Sequence, residues 1–262
     1  MPQFLLKPEA LVEKPRPEGL KGARFKLTGP DAFHIAKVLR QRPGEALQLF
    51  DGHGGHFHGT ISKVSADEVE GVIVDAVQAA PRARVSLRLY PGLLKAAAWE
   101  WVLEKCTEMG ASSFTPVITP RTVVLFEREH TEAKRERWAK IIMAATKQCG
   151  RADLPVVKAP MHFPDAIREA AARGVTLLAW EGMTGAAAHE SLGEALKDVA
   201  IEAGKEVEVS LFLGPEGGFS DEEVELAEAV GAVPFGLGEN TLRAETAALA
   251  AATAVLYELG AL

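Results

Sequence analysis

Cysteine is scarce. Two residues, Cys106 and Cys149, in a chain of 262 exclude a disulfide framework. Both fall on apolar helix faces, which predicts buried thiols in a reducing compartment. Long hydrophobic runs are absent too. None approaches the ~20 residues that cross a bilayer, so no membrane partner is expected. The opening residues, MPQFLLKPEALVEK, lack a long apolar stretch and a small-residue cleavage site, so no signal peptide is expected and the chain reads as cytoplasmic. Neither common phosphate fingerprint is present. No Gly-Lys-Ser/Thr closes a glycine loop, and GPEGGF does not match G-x-G-x-x-G. That disfavours a doubly wound nucleotide-binding enzyme. Basic residues are nearly missing from one region: positions 201–262 carry two Lys/Arg against twelve Asp/Glu. The net charge of -7 therefore resides in the last segment. The remainder is neutral to basic and can meet phosphates.

What is present is a change of pattern near residue 78. Before it, FKL (25–27), ALQLF (46–50), GHFHGTISKV (55–64) and EVEGVIVDAV (68–77) show alternating or β-branched strands separated by turn residues. A single helix is expected over DAFHIAKVLR (31–40), capped by Asp31, with Phe33, Ala36, Val38 and Leu39 near one side. These residues predict a small barrel with one inserted helix. QAAPRAR (78–84) reads as a linker. Beyond it strands and helices alternate, which predicts a mostly parallel sheet in an α/β domain. The helix AAAWEWVLEKCTEMG places Trp99, Val102, Leu103 and Cys106 at core spacing. A long helix ending in KQCG carries Trp138, Ile141, Ile142, Ala145 and Cys149 on one stripe. The domains expected are 1–77 and 78–262.

Two glycine-bearing loops stand out in the last fifty residues. LFLGPEGGFSDEE (211–223) and FGLGENTLRAETA (235–247) each follow an apolar run and precede a helix. Glycines there let the backbone turn sharply and bring N–H groups to a ligand. Ser220 and Glu223 have the spacing of a capping box. Asn240 or Thr241 is expected to cap the closing helix. With Glu245, Arg243 is expected in that helix's first turn, where the helix dipole suits a cation poorly. It therefore answers to an acidic partner, such as Glu216 or Glu245, or to a bound anion. HGGHFHG (His53, His56, His58) has no cysteine beside it and reads as a hairpin tip, so no metal is expected.

GPEGGFSDEE and LGENTLRAETA, separated by a helix and a short strand, resemble the C-terminal motifs of the 16S ribosomal RNA uridine-N3 methyltransferases, within the SPOUT superfamily. The likeness extends along the chain through HIAKVLRQRPGE, KAAAWEWVLEKCTEMGASSFTPVITPRT and KQCGRADLP. Met109, Ala97, Ala98 and Lys147 depart from that pattern, and none lies in the glycine loops. The resemblance implies an N-terminal PUA-like β-barrel that holds RNA. It implies a C-terminal SPOUT α/β domain with a deep trefoil knot, and a homodimer with its site near the subunit interface. The implied methyl donor is S-adenosylmethionine (S-adenosyl-L-methionine), held by Leu213, Gly214, Pro215, Glu216, Gly217, Gly218, Leu237, Gly238, Asn240, Leu242 and Arg243. The implied substrate is a uridine of 16S rRNA, within the small ribosomal subunit. Arg243, Glu245 and Glu216 become the catalytic candidates. His34, Arg40, Arg42, Lys95, Arg121, Gln148 and Arg151 become candidate RNA contacts, with Lys7, Arg16, Lys21, Arg24 and Lys147 on the same track. Two other readings share these loops: another SPOUT enzyme acting on a ribose hydroxyl or a tRNA base, and a non-catalytic RNA-binding module.

Overall fold

The computed structural model describes residues 2–12, 19–77, 84–124, 131–183, 192–197, 199 and 206–262. Arg16 and all of the expected linker except Arg84 lie outside them. The chain forms two compact units, Met1–Ala80 with Thr146–Leu154, and Pro81–Ala145 with Pro155–Leu262.

The first unit is a five-stranded sheet of β1 (Gln3–Leu5), β2 (Arg24–Thr28), β3 (Ala46–Phe50), β4 (His56–Val64) and β5 (Glu68–Val77), in the order β1-β3-β4-β5-β2. Only β1–β3 is parallel. Past β1 the chain turns, and Leu11 bridges Phe25 of β2, which brings the two edges of the sheet together. Alternation decides the core. Phe25 and Leu27 are buried while Arg24, Lys26 and Thr28 face solvent. Phe4, Leu47, Leu49, Ile61, Val69 and Ile73 complete the interior.

The inserted helix differs from expectation. Helix α1 (Pro30–Phe33) runs straight into a π-helical turn over His34–Val38. Ala32 and Ile35 are buried, whereas Phe33 and Val38 are more than half exposed. The wider turn changes the side-chain phase, so a 3.6-residue reading chose the wrong face. Asp31 does not cap. Gly29 holds the N-cap position without a side-chain bond, and the Asp31 carboxylate accepts from Lys147 Nζ at 2.7 Å. Arg40, just past the turn, is a non-glycine residue with positive φ, +56°.

The second unit holds a six-stranded sheet, all parallel, in the order β13-β11-β12-β6-β7-β9. Its strands are β6 (Arg84–Pro91), β7 (Ser113–Phe114), β9 (Val156–Val157), β11 (Val175–Ala179), β12 (Glu206–Leu213) and β13 (Val233–Phe235). β8 (Val117–Ile118) and β10 (Met161–His162) pair separately. Helices α2 (Ala96–Met109), α3 (Thr131–Cys149), α4 (Phe163–Ala171), α5 (Asp221–Ala229) and α6 (Ala244–Glu258) connect them. On one face Tyr90, Leu178 and Phe212 pack with Phe163 and Ile167 of α4 and Val224 and Ala227 of α5. Tyr90 and Phe212, paired in register, stack with centroids 4.5 Å apart. The alternate residues Leu87, Leu89, Val209 and Leu211 are buried on the other face. There α6 packs on α2, β6 and β12. Trp99 meets Trp138 at 5.3 Å, as the two helical stripes predict. Cys106 is buried and Cys149 half-buried, both as free thiols. Burial pushes the Cys106 thiol up to about 12, so it stays protonated.

Candidate active site

In an open parallel sheet, ligands sit at the carboxyl ends of the strands, where the order reverses. Here β6 continues outward to β7 and β9, while β12, β11 and β13 extend the other way. The segments leaving β6, β11, β12 and β13, together with the start of α2, enclose one cavity of about 980 Å³. That volume lies within the ordinary range for small-molecule sites.

The first glycine loop leaves β12. Leu213, Gly214, Pro215, Glu216 and Gly218 line the cavity. Two close approaches shape the loop. A Cβ on Gly92, the residue after β6, would stand 2.4 Å from the backbone N of Pro215. Gly218 has φ +67°, and its missing side chain leaves room for the Glu181 carboxylate. The loop ends at α5 with the capping box the spacing predicts. Ser220 Oγ accepts from Glu223 N at 3.3 Å, and Glu223 Oε2 accepts from Ser220 N at 2.9 Å. Burial is the main reason that the Glu223 carboxyl sits above the usual range. Removing the cap with Ser220→Ala should cost about 1 kcal/mol, read as a lower urea midpoint at unchanged slope.

The second loop leaves β13. Leu237, Gly238, Asn240 and Leu242 line the same cavity, followed by Arg243 and Glu245. Neither Asn240 nor Thr241 caps α6. Arg243 is the N-cap residue, and no side chain bonds there. Arg243 thus stands one step before the first turn, with Glu245 inside it. Among the described residues the Arg243 side chain has no hydrogen-bond or ion-pair partner. Glu216, one of its expected partners, accepts instead from the Lys95 backbone N–H at 3.3 Å. Neither Glu216 nor Glu245, the two acidic partners expected, pairs with Arg243 among the described residues.

The expected RNA contacts divide. Lys95 lines the cavity. Arg121 does not; its guanidinium bonds the first glycine loop. Gly217 lies on that side as well, away from the cavity lining. His34, Arg40, Arg42, Gln148 and Arg151 all belong to the first unit. His34 meets the Phe4 ring edge-on at 6.1 Å, and Arg42 lies at a tight turn where its N–H donates to Glu45. Arg151 pairs with Asp153, and Lys147 with Asp31. Gln148 and Arg40 are exposed.

Three lining residues carry no glycine signature. Trp101, Trp180 and Glu181 join the cavity wall. Trp101 is 37% exposed, whereas Trp99 is 1%. Trp180 and Glu181 follow β11 directly, so the rule about strand ends in parallel sheets was the available signal. The lining charges are Lys95 and Arg243 against Glu181, Glu216, Glu239 and Glu245. Among the described residues, no group of three or more His, Cys, Asp and Glu is arranged to hold a metal ion. No helix among them is long and apolar enough to cross a membrane.

Comparison with known proteins matches this architecture. The RNA methyltransferase domain family matches residues 81–256, and the RNA methyltransferase PUA domain matches residues 27–74. A ribosomal RNA small subunit methyltransferase E from Synechocystis is 32% identical over 231 residues, covering 88% of this chain and 72% of that protein. The protein of the same name from Bacillus subtilis is 29% identical over 236 residues, covering 89% and 90%. A putative methyltransferase from Legionella pneumophila, solved with the cofactor SAM bound, superposes with a TM-score of 0.74 at 28% identity, covering 97% of each chain. With its two glycine loops meeting in one cavity at the strand ends, this chain belongs to the RNA methyltransferase family that includes ribosomal RNA small subunit methyltransferase E.

Proposed function

We propose that this chain methylates N3 of one uridine in 16S ribosomal RNA, using S-adenosylmethionine, as a cytoplasmic homodimer acting on the small ribosomal subunit. The observation that carries the reading is the convergence of both glycine loops and the uncommitted Arg243 on a single cavity. The cavity suits the donor. Gly214, Gly218 and Gly238 line it, with open space where a Gly238 side chain would stand, and Leu237 and Leu242 add apolar wall. The donor supplies an electrophilic methyl group on a sulfonium. The trefoil knot belongs to the same reading, as does the assignment of 1–77 to RNA holding and 78–262 to catalysis.

The residues then have separable tasks. Uracil N3 carries a proton, so attack through that nitrogen needs the proton removed or strongly shared. Glu245 and Glu216, two of the four carboxylates in the cavity wall, are the candidates for that step. As N3 loses its proton, negative charge spreads to the uracil carbonyl oxygens. Arg243 offers a cation for one of them, with no partner to leave among the described residues. Orientation of the two reactants in the cavity supplies a further part of the rate. The basic residues of the first unit, with Lys95, track the phosphate backbone.

The test uses ribosomal RNA from a strain that lacks this protein. Purified full-length chain with S-adenosylmethionine should restore one methyl group at N3 of one uridine. Its RNA affinity should fall steeply with salt. A methyl group on a ribose oxygen would favour the related SPOUT reading. Calorimetry without heat on adding the donor would leave only an RNA-binding module.

A further inference from the structure

Arg121 belongs by sequence to the residues that meet RNA, yet its guanidinium is engaged by the protein. It is presented by the turn Thr119–Thr122, which follows β8. Thr122 N donates to Thr119 O at 3.1 Å, Thr119 N donates to Thr122 Oγ1 at 2.9 Å, and the two hydroxyls lie 3.1 Å apart. Pro120 occupies the position where a fixed φ favours such a turn. From this locked turn Arg121 Nη1 donates to Gly217 O at 3.1 Å and to Phe219 O at 3.0 Å.

Those two carbonyls flank Gly218, the left-handed residue that lines the cavity. A Cβ on Gly217 would stand 3.1 Å from the Arg121 Cβ, so loop and arginine are already in close contact. A Cβ on Gly218 would run into the Glu181 carboxylate. The loop is thus held from outside at two peptide groups. Each peptide is planar, so turning its carbonyl toward Arg121 sets the direction of the whole group. A loop with three glycines in six residues loses much backbone freedom when it is ordered. Hydrogen bonds at both sides of its apex offset that loss before any ligand arrives. The charge is also partly answered locally. Glu222 at the start of α5 is held below the usual carboxylate range by its own backbone and by Ser220, with Arg121 contributing.

We infer that Arg121 is a positioning residue for the methyl donor: it shapes the GPEGGF loop through Gly217 and Phe219 instead of contacting RNA. This rests on the donor reading proposed above.

The experiment titrates full-length wild type, Arg121→Ala and Arg121→Lys with S-adenosylmethionine by calorimetry, and with RNA over a range of salt. Arg121→Ala should bind the donor roughly tenfold more weakly, the loss expected for two modest hydrogen bonds. Its KM for the donor should rise to match, while kcat at saturating donor changes far less. Its RNA affinity and salt slope should stay at wild-type values. A general loss of structure would instead lower kcat and RNA binding together and would overturn the inference. Arg121→Lys keeps the charge but not the planar fork. It should still lose donor affinity by a few-fold, and it serves alone if the alanine variant does not fold. Wild-type donor affinity in both variants, with the salt slope of Arg121→Ala reduced by about one, would return Arg121 to the RNA. Wild-type protein that gives no heat with the donor would overturn the functional reading itself, a different result from variants that match a binding-competent wild type.

Discussion

Replacing Arg243 with alanine should lower the rate of methyl transfer at least a hundredfold and leave donor affinity within about threefold. The size follows from removing a preorganised charge that acts on the anion formed during reaction, a change that typically costs ~10²–10³ in rate. The selectivity follows from place. Arg243 is the N-cap residue of α6, at the end of the second glycine loop, and its side chain has no partner among the described residues. Truncating it therefore breaks no ion pair among the described residues, and the loop backbone through Gly238 and Leu242 should keep its course. Single-turnover transfer of labelled methyl to RNA, with calorimetry of the donor, separates the two quantities. A variant with near wild-type turnover would remove Arg243 from the chemistry. A variant that cannot bind the donor would make it a binding residue only.

A methyl group added at Gly92 should be nearly as damaging, although this residue touches neither candidate ligand loop in sequence. Gly92 follows β6 and its N–H donates to Leu213 O at 2.7 Å, which ties it to the end of β12. An alanine Cβ there would come within 2.4 Å of Pro215 N and 2.9 Å of Pro215 Cα. Those are backbone and ring atoms, and no flexible side chain is available to yield. Either β6 and β12 separate or the GPEGGF loop moves. Overpacking of this kind costs ~1–3 kcal/mol. A displacement near 1 Å in a positioning loop costs ~10² in rate. Gly92→Ala should therefore lose donor binding and most activity while still unfolding cooperatively in urea. Wild-type donor affinity in a folded Gly92→Ala protein would show that the loop's position does not depend on this contact.

Much of the site was legible because its parts are local in sequence. The two glycine loops, the Ser220–Glu223 box and the strand–helix alternation depend on residues within a few positions of one another. The closing helix was legible as an element but not at its start. Arg243 has extended backbone at the N-cap position, and Asn240 and Thr241 line the cavity without bonding the helix end. The helix near residue 31 failed for a related reason: a π-helical turn changed the period on which its face was judged.

What stayed hidden joins distant parts of the chain. Arg121 reaches carbonyls 96 and 98 residues away. Trp101, Trp180 and Glu181 lie beside the glycine loops because β6, β11 and β12 are neighbours. Thr146–Leu154 packs with the first unit although the long α3 carries it there from the second. Sequence by itself determined four of the five strands of the first sheet, all but β1, with the parallel α/β pattern, the two glycine loops and the family resemblance, since these rest on period, turn chemistry and short motifs. Tertiary structure decided which charges are free. Lys147, Arg151 and Arg121 each have a protein partner, while Arg243 has none among the described residues. A charged side chain takes its role from what folding places within about 3 Å of it, the distance at which hydrogen bonds form.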